Sequence, residues 1–148
     1  MIRLAIDSAT TSGIAIYDGE SVITYDTKGT PIEQGEHFLS IVTADRSGDV
    51  EVYIEDVYVG SNRHTLIVLA KRLGFIENLL SMYGYKVTII SPNTYRKLLS
   101  TAKTKEDYLN YWQSRSKSKL TNNMSDALTL LYWGAALDIN TPFVRRQV

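Results

Sequence analysis

The 148-residue chain contains no cysteine, so disulfides, thiolate metal sites and cysteine nucleophiles are all excluded. No apolar run reaches the roughly 18 residues needed to cross a membrane, and the opening Met1-Ile2-Arg3-Leu4 lacks a signal-peptide layout. A cytoplasmic protein is the default expectation. Internal repeats and low-complexity tracts are also missing, which leaves one ordinary domain with room for a proper core. An excess of one charge sign is absent too, with 16 basic residues against 16 acidic ones. Zero net charge alone argues against a polyanionic partner, but the distribution argues for one. Residues 1–57 carry three Lys/Arg against eleven Asp/Glu, whereas residues 58–148 carry thirteen against five. A basic face beside an acidic one suits a phosphate backbone approaching a cation-binding site.

Alternating and β-branched stretches predict strands over Ile2–Asp7, Gly13–Tyr17, Val22–Thr27, Val50–Glu55 and Lys86–Ile90. Thr30 and Pro31 open a helix running to about Ala44, and a longer apolar-periodic helix spans His64–Tyr83. Pro92 starts a short helix through Leu99, residues 103–119 are basic and partly helical, and Thr121 caps a last helix to about Leu137. These elements predict an α/β fold. Its mixed sheet has five strands, three antiparallel and then parallel ones, flanked by helices. Residues 1–139 form the domain, and 140–148 are expected to be a flexible tail.

Three acids stand at informative places. Asp7 closes the first apolar strand, Glu55 closes the fourth, and Asp126 opens the apolar part of the last helix. Strand ends at the carboxyl edge of such a sheet are where ligands bind, so the three can gather into one divalent-metal site. Asn123 lies three residues before Asp126, on the same side of that helix.

The surroundings of these acids resemble the ribonuclease H-like superfamily and, within it, the RuvC family of Holliday-junction resolvases. Leu4-Ala5-Ile6-Asp7-Ser8-Ala9-Thr10-Thr11-Ser12-Gly13 is similar to the family's first strand, metal-binding Asp and glycine turn, with Ser8-Ala9 in place of the usual Pro-Gly. Ile54-Glu55-Asp56-Val57-Tyr58 resembles its strand-ending Glu followed by an aromatic. Lys71-Arg72-Leu73-Gly74-Phe75-Ile76 resembles its small-residue helix segment, and Ser91-Pro92-Asn93-Thr94-Tyr95-Arg96-Lys97 its basic helix. Asn123-Met124-Ser125-Asp126-Ala127-Leu128 resembles its acidic C-terminal helix, with Asn123 where an acid or histidine is usual. The departures resemble those of a divergent, phage-borne member acting in a bacterial cytoplasm.

The resemblance implies a structure-selective endonuclease that nicks four-way DNA junctions symmetrically. Asp7, Glu55, Asp126 and Asn123 would hold two Mg²⁺ ions, with Mn²⁺ as substitute. Lys103 or Lys105 would approach the scissile phosphate, with Lys105 the catalytic candidate. Tyr58, Arg96, Lys97, Lys103 and Lys105 would contact branched DNA, and a homodimer would form through the second apolar face of the 64–83 helix. Three other readings stay open. A sugar-kinase or actin-like ATPase shares the Asp7–Gly13 turn but needs a second domain and a glycine-rich nucleotide site. A non-catalytic branched nucleic-acid-binding module is suggested by Asn123, and a related nuclease could prefer RNA or forks.

Overall fold

The structure, a computed structural model, describes residues 1–57 and 62–146. Among these residues six strands form one sheet: β1 (Ile2–Asp7), β2 (Thr11–Tyr17), β3 (Val22–Lys28), β4 (Val50–Glu55), β5 (Lys86–Ile90) and β6 (Phe143–Arg145). Their order is β5-β4-β1-β2-β3-β6. The first three pair antiparallel, and β4, β5 and β6 join in parallel.

The sheet therefore has six strands, not the five expected. The extra strand lies inside the stretch 140–148 that the sequence assigned to a tail. Three residues are too few for a period-two signal, and contacts made elsewhere hold them in place. Val22 N–H donates to the Pro142 carbonyl, Arg146 N–H donates to the Thr24 carbonyl, and the Tyr132 hydroxyl donates to the Thr141 carbonyl. Phe143 also sets its ring 5.6 Å from that of Trp112.

Among the described residues five α-helices flank the sheet: α1 (Pro31–Thr43), α2 (Arg63–Met82), α3 (Pro92–Tyr95), α4 (Lys105–Gln113) and α5 (Asn122–Gly134). Strand alternation sorts the core onto two sides. Leu4, Ile6, Ile14, Ile16, Val52 and Ile54 point to α1 and α2, where Phe38, Leu73, Ile76 and Leu80 complete the layer. Ala5, Ala15 and Tyr53 face α5 and the aromatic cluster around Trp112 and Tyr132. Small residues on that face let α5 lie close to the sheet. No helix among the described residues is long and apolar enough to cross a membrane.

Several helix ends differ from the sequence expectation by a few residues. The last helix stops at Gly134, short of Leu137, because Ala136 takes a positive φ of 51° and reverses the chain. The short helix after Pro92 runs four residues and then tightens into a 3-10 turn, Arg96–Leu98. Within 103–119 only Lys105–Gln113 is helical, started by a Thr104–Asp107 capping box.

Candidate metal centre

Asp7 and Glu55 become neighbours because β1 and β4 run parallel with Ile6 opposite Ile54. Asp126 reaches them through a glycine. Asp7 pairs with Gly13 across β1 and β2, and a Cβ on Gly13 would lie 2.0 Å from the Asn123 carbonyl oxygen. Only a residue without a side chain lets the first turn of α5 sit against β2 at that point. The start of α5 is fastened independently: the Thr121 hydroxyl donates to Asp26 at 2.8 Å and accepts from Met124 N–H at 3.2 Å.

The result is one cluster. Each of Asp7, Glu55 and Asp126 offers a carboxylate oxygen, and these oxygens all lie within 4.8 Å of one another. Burial pushes the proton affinity of each upward; neighbouring carboxylates add to that at Asp7 and Asp126, while at Glu55 a hydrogen bond with Asp7 opposes it and the Asp126 charge adds to it. Asp7 is held well above the usual carboxylate range by burial and then by the Glu55 charge. Asp126 is pushed up to about 6 by burial and then by Asp7. Arg96 opposes the rise at all three acids, and Lys105 opposes it at Asp7 and Asp126.

Three crowded carboxylates without a cation are an unstable arrangement, and the donor set fits a hard divalent ion. All the charged donors are oxygens, as Mg²⁺ and Mn²⁺ prefer. Glu55 Oε2 is buried and accepts no hydrogen bond of ordinary geometry from the described residues, and a cation would supply it a partner.

The basic residues divide between two places. Arg96 Nη2 stands 4.0 Å from Asp126 Oδ1, so Arg96 belongs to the acid cluster as well as to the basic surface. It is held there by the Tyr108 hydroxyl, which donates to the Arg96 carbonyl at 2.9 Å. Lys105, the first residue of α4, acts electrostatically on Asp7 and Asp126. Lys97 and Lys103 instead line an adjoining cleft of about 490 Å³, together with Arg96, Asn93 and Tyr108. Tyr58 lies outside the described residues.

Asn123 stands one turn before Asp126, and its Nδ2 donates to the Thr11 carbonyl at 3.2 Å. Part of its amide thus ties α5 to β2, a role that nothing around position 123 in the sequence signals. Sequence reasoning also passed over Tyr95, which is fully buried beside the cluster and electrostatically coupled to Glu55, Asp126 and Asp7. Its position in the Ser91–Lys97 segment, one residue before Arg96, is the only sequence signal it carries.

No protein-family model matches the sequence, and no curated protein matches it. Solved structures do. The structure described as T. thermophilus RuvC in complex with a Holliday junction substrate is similar with a TM-score of 0.69 at 14% identity, over 91% of this chain and 92% of that one. A second Thermus thermophilus RuvC structure gives 0.60 at 15% identity, over 91% and 93%. The chain has the mixed α/β fold of these RuvC structures at low sequence identity.

Proposed function

We propose that this chain is a divalent-metal-dependent endonuclease that resolves four-way DNA junctions by symmetric nicking as a homodimer. The observation that carries the reading is the gathering of Asp7, Glu55 and Asp126, from β1, β4 and α5, within 4.8 Å on a RuvC-type fold. Mg²⁺, with Mn²⁺ as substitute and two ions per site, would supply activation of a water and neutralisation of the leaving oxygen.

The protein groups divide the remaining work. Asp7, Glu55 and Asp126 hold the cations, and the Asn123 side-chain oxygen is an additional neutral ligand. Lys105 and Arg96 offset the charge of the scissile phosphate where it meets the acids. Lys97 and Lys103 take the neighbouring backbone phosphates in the 490 Å³ cleft. Tyr58 stacks on a base at the branch point, where stacking is already interrupted.

A second copy fits the outer side of α2. Val68, Phe75 and Met82 recur every seven residues along it and remain exposed, as does Ile32 on neighbouring α1. A heptad stripe of this kind suits pairing with another helix.

The test is purified protein with Mg²⁺ or Mn²⁺ on labelled four-way junction, fork, duplex and RNA–DNA hybrid. Paired nicks at symmetric positions of the junction are expected. Asp7→Asn, Glu55→Gln and Asp126→Asn should each abolish them while junction binding persists, since removing negative charge does not weaken phosphate contacts. Full nicking by any one variant removes that residue from the centre. Junction binding without any metal-dependent nick would establish a binding module, and ATP hydrolysis without nicking would establish the ATPase reading.

A further inference from the structure

Apart from its hydroxyl, Tyr95 fills no volume that phenylalanine would not fill. Its ring sits in the aromatic and aliphatic layer with Ile90, Leu99 and Leu128, and the residue is fully buried. A buried tyrosine hydroxyl ordinarily finds a hydrogen-bond partner, because leaving it without one is costly. Among the described residues the Tyr95 hydroxyl has no hydrogen bond of ordinary geometry, yet it stands close enough to the Glu55 carboxylate to act on it as a side-chain hydrogen-bond donor.

Two further buried polar atoms beside it are in the same condition: Glu55 Oε2, an acceptor, and Arg96 Nε, a donor. These three side chains are electrostatic neighbours. Tyr95 acts on Glu55 and on Arg96, and Arg96 acts on Glu55. The backbone holds them together. Glu55 pairs with Ile90 at the end of β4 and β5, Asp56 N–H donates to the Ile90 carbonyl at 2.9 Å, and α3 begins two residues later. Tyr95 N–H closes the α3 turn onto the Ser91 carbonyl at 3.3 Å. The hydroxyl is therefore brought to the ligand carboxylate by the same pair of strands that carries it.

We propose that Tyr95 is a positioning residue of the metal centre, its hydroxyl donating to the Glu55 carboxylate and orienting it for the cation. This rests on the reading of Asp7, Glu55 and Asp126 as metal ligands. A hydrogen bond to a ligating carboxylate raises metal affinity without touching substrate, and losing such a contact typically costs roughly 10–100-fold in affinity. The competing account is that Tyr95 is only core, in which case the hydroxyl is dispensable.

Mn²⁺ binding to the full chain without DNA, followed by electron paramagnetic resonance, separates the two accounts. Wild type, Tyr95→Phe and Glu55→Gln are compared, and melting temperatures in EDTA report folding. The expected result is a folded Tyr95→Phe protein that binds Mn²⁺ about 10-fold or more weakly, with Glu55→Gln weaker still. Junction nicking should show the same displacement, with half-saturation moved to higher Mn²⁺ and the maximal rate kept within about twofold. A purely structural contribution would not move that half-saturation. Mn²⁺ affinity and half-saturation equal to wild type in Tyr95→Phe would overturn the proposal and leave the metal centre standing. Failure of the wild type to bind Mn²⁺ would overturn the metal centre, and the role of Tyr95 with it.

Discussion

Asp126→Asn should make the metal-free protein more stable while destroying its activity. Burial and the Asp7 charge raise the Asp126 proton affinity from the ordinary 3.8 to about 6. Keeping this carboxylate ionised above that pH disfavours the folded state by about 3 kcal/mol. Asparagine keeps the shape and removes the charge. It also removes the partner of Arg96, 4.0 Å away, whose attraction is already contained in that value. The gain is about 3 kcal/mol, or roughly 6–12 °C in melting temperature for a domain of this size. The sign depends on pH in a defined way. Because the folded-state value is raised, the penalty is absent below the unfolded value of 3.8 and complete above about 6. The gain should therefore be present near pH 7.5 and vanish near pH 4. Thermal melts followed by circular dichroism, in EDTA at both pH values, measure it. Excess Mn²⁺ should reverse the order, since the wild type gains binding energy that the variant cannot. An Asn variant that melts below wild type near pH 7.5 in EDTA would refute the reasoning, as would equal gains at both pH values.

Other outcomes follow from the same geometry. Lys105→Ala should lower the nicking rate about 10²–10³-fold with little loss of junction affinity. Lys103→Ala should instead reduce the salt slope of binding by about one, and a reversal of these two phenotypes in nicking and salt-titration assays would exchange the roles of the two lysines. Gly13→Ala places a methyl group 2.0 Å from the Asn123 carbonyl oxygen, so α5 must move away from β2. A loss of about 3 kcal/mol in urea unfolding, together with loss of nicking, is expected, and a stable active variant would show that α5 is not held by this contact. Asn123→Asp forfeits the bond to the Thr11 carbonyl, lowering stability by about 1–2 kcal/mol, but adds a charge to the site. The Mg²⁺ concentration for half-maximal nicking should fall in this variant, whereas exposed Asn122→Asp should leave it unchanged. A shift in Asn122→Asp alone would mean that the other asparagine faces the cation.

The local grammar of the chain was enough to place most elements and the acids upon them. The apolar runs Ile2–Ile6 and Val50–Ile54 put both carboxylates at strand ends, and the Thr121 cap set the start of the helix carrying Asp126. These are short-range preferences of backbone and side chain, so they can be read along the sequence. Other features depend on residues far apart in the chain. Phe143–Arg145 is a strand only because β3 presents a free edge and Trp112 and Tyr132 hold its approach. Arg96 reads as one more surface cation until the 3-10 turn brings it 4.0 Å from Asp126. Tyr95 reads as core until the end of β5 delivers it to Glu55. Gly13 reads as a turn glycine, yet its missing side chain allows α5 to meet β2 and the three acids to converge. The sequence by itself determined which groups the site would contain. Which of them touch was decided by the close packing of α5 and α3 against the sheet, because contact depends on distances that no local pattern encodes.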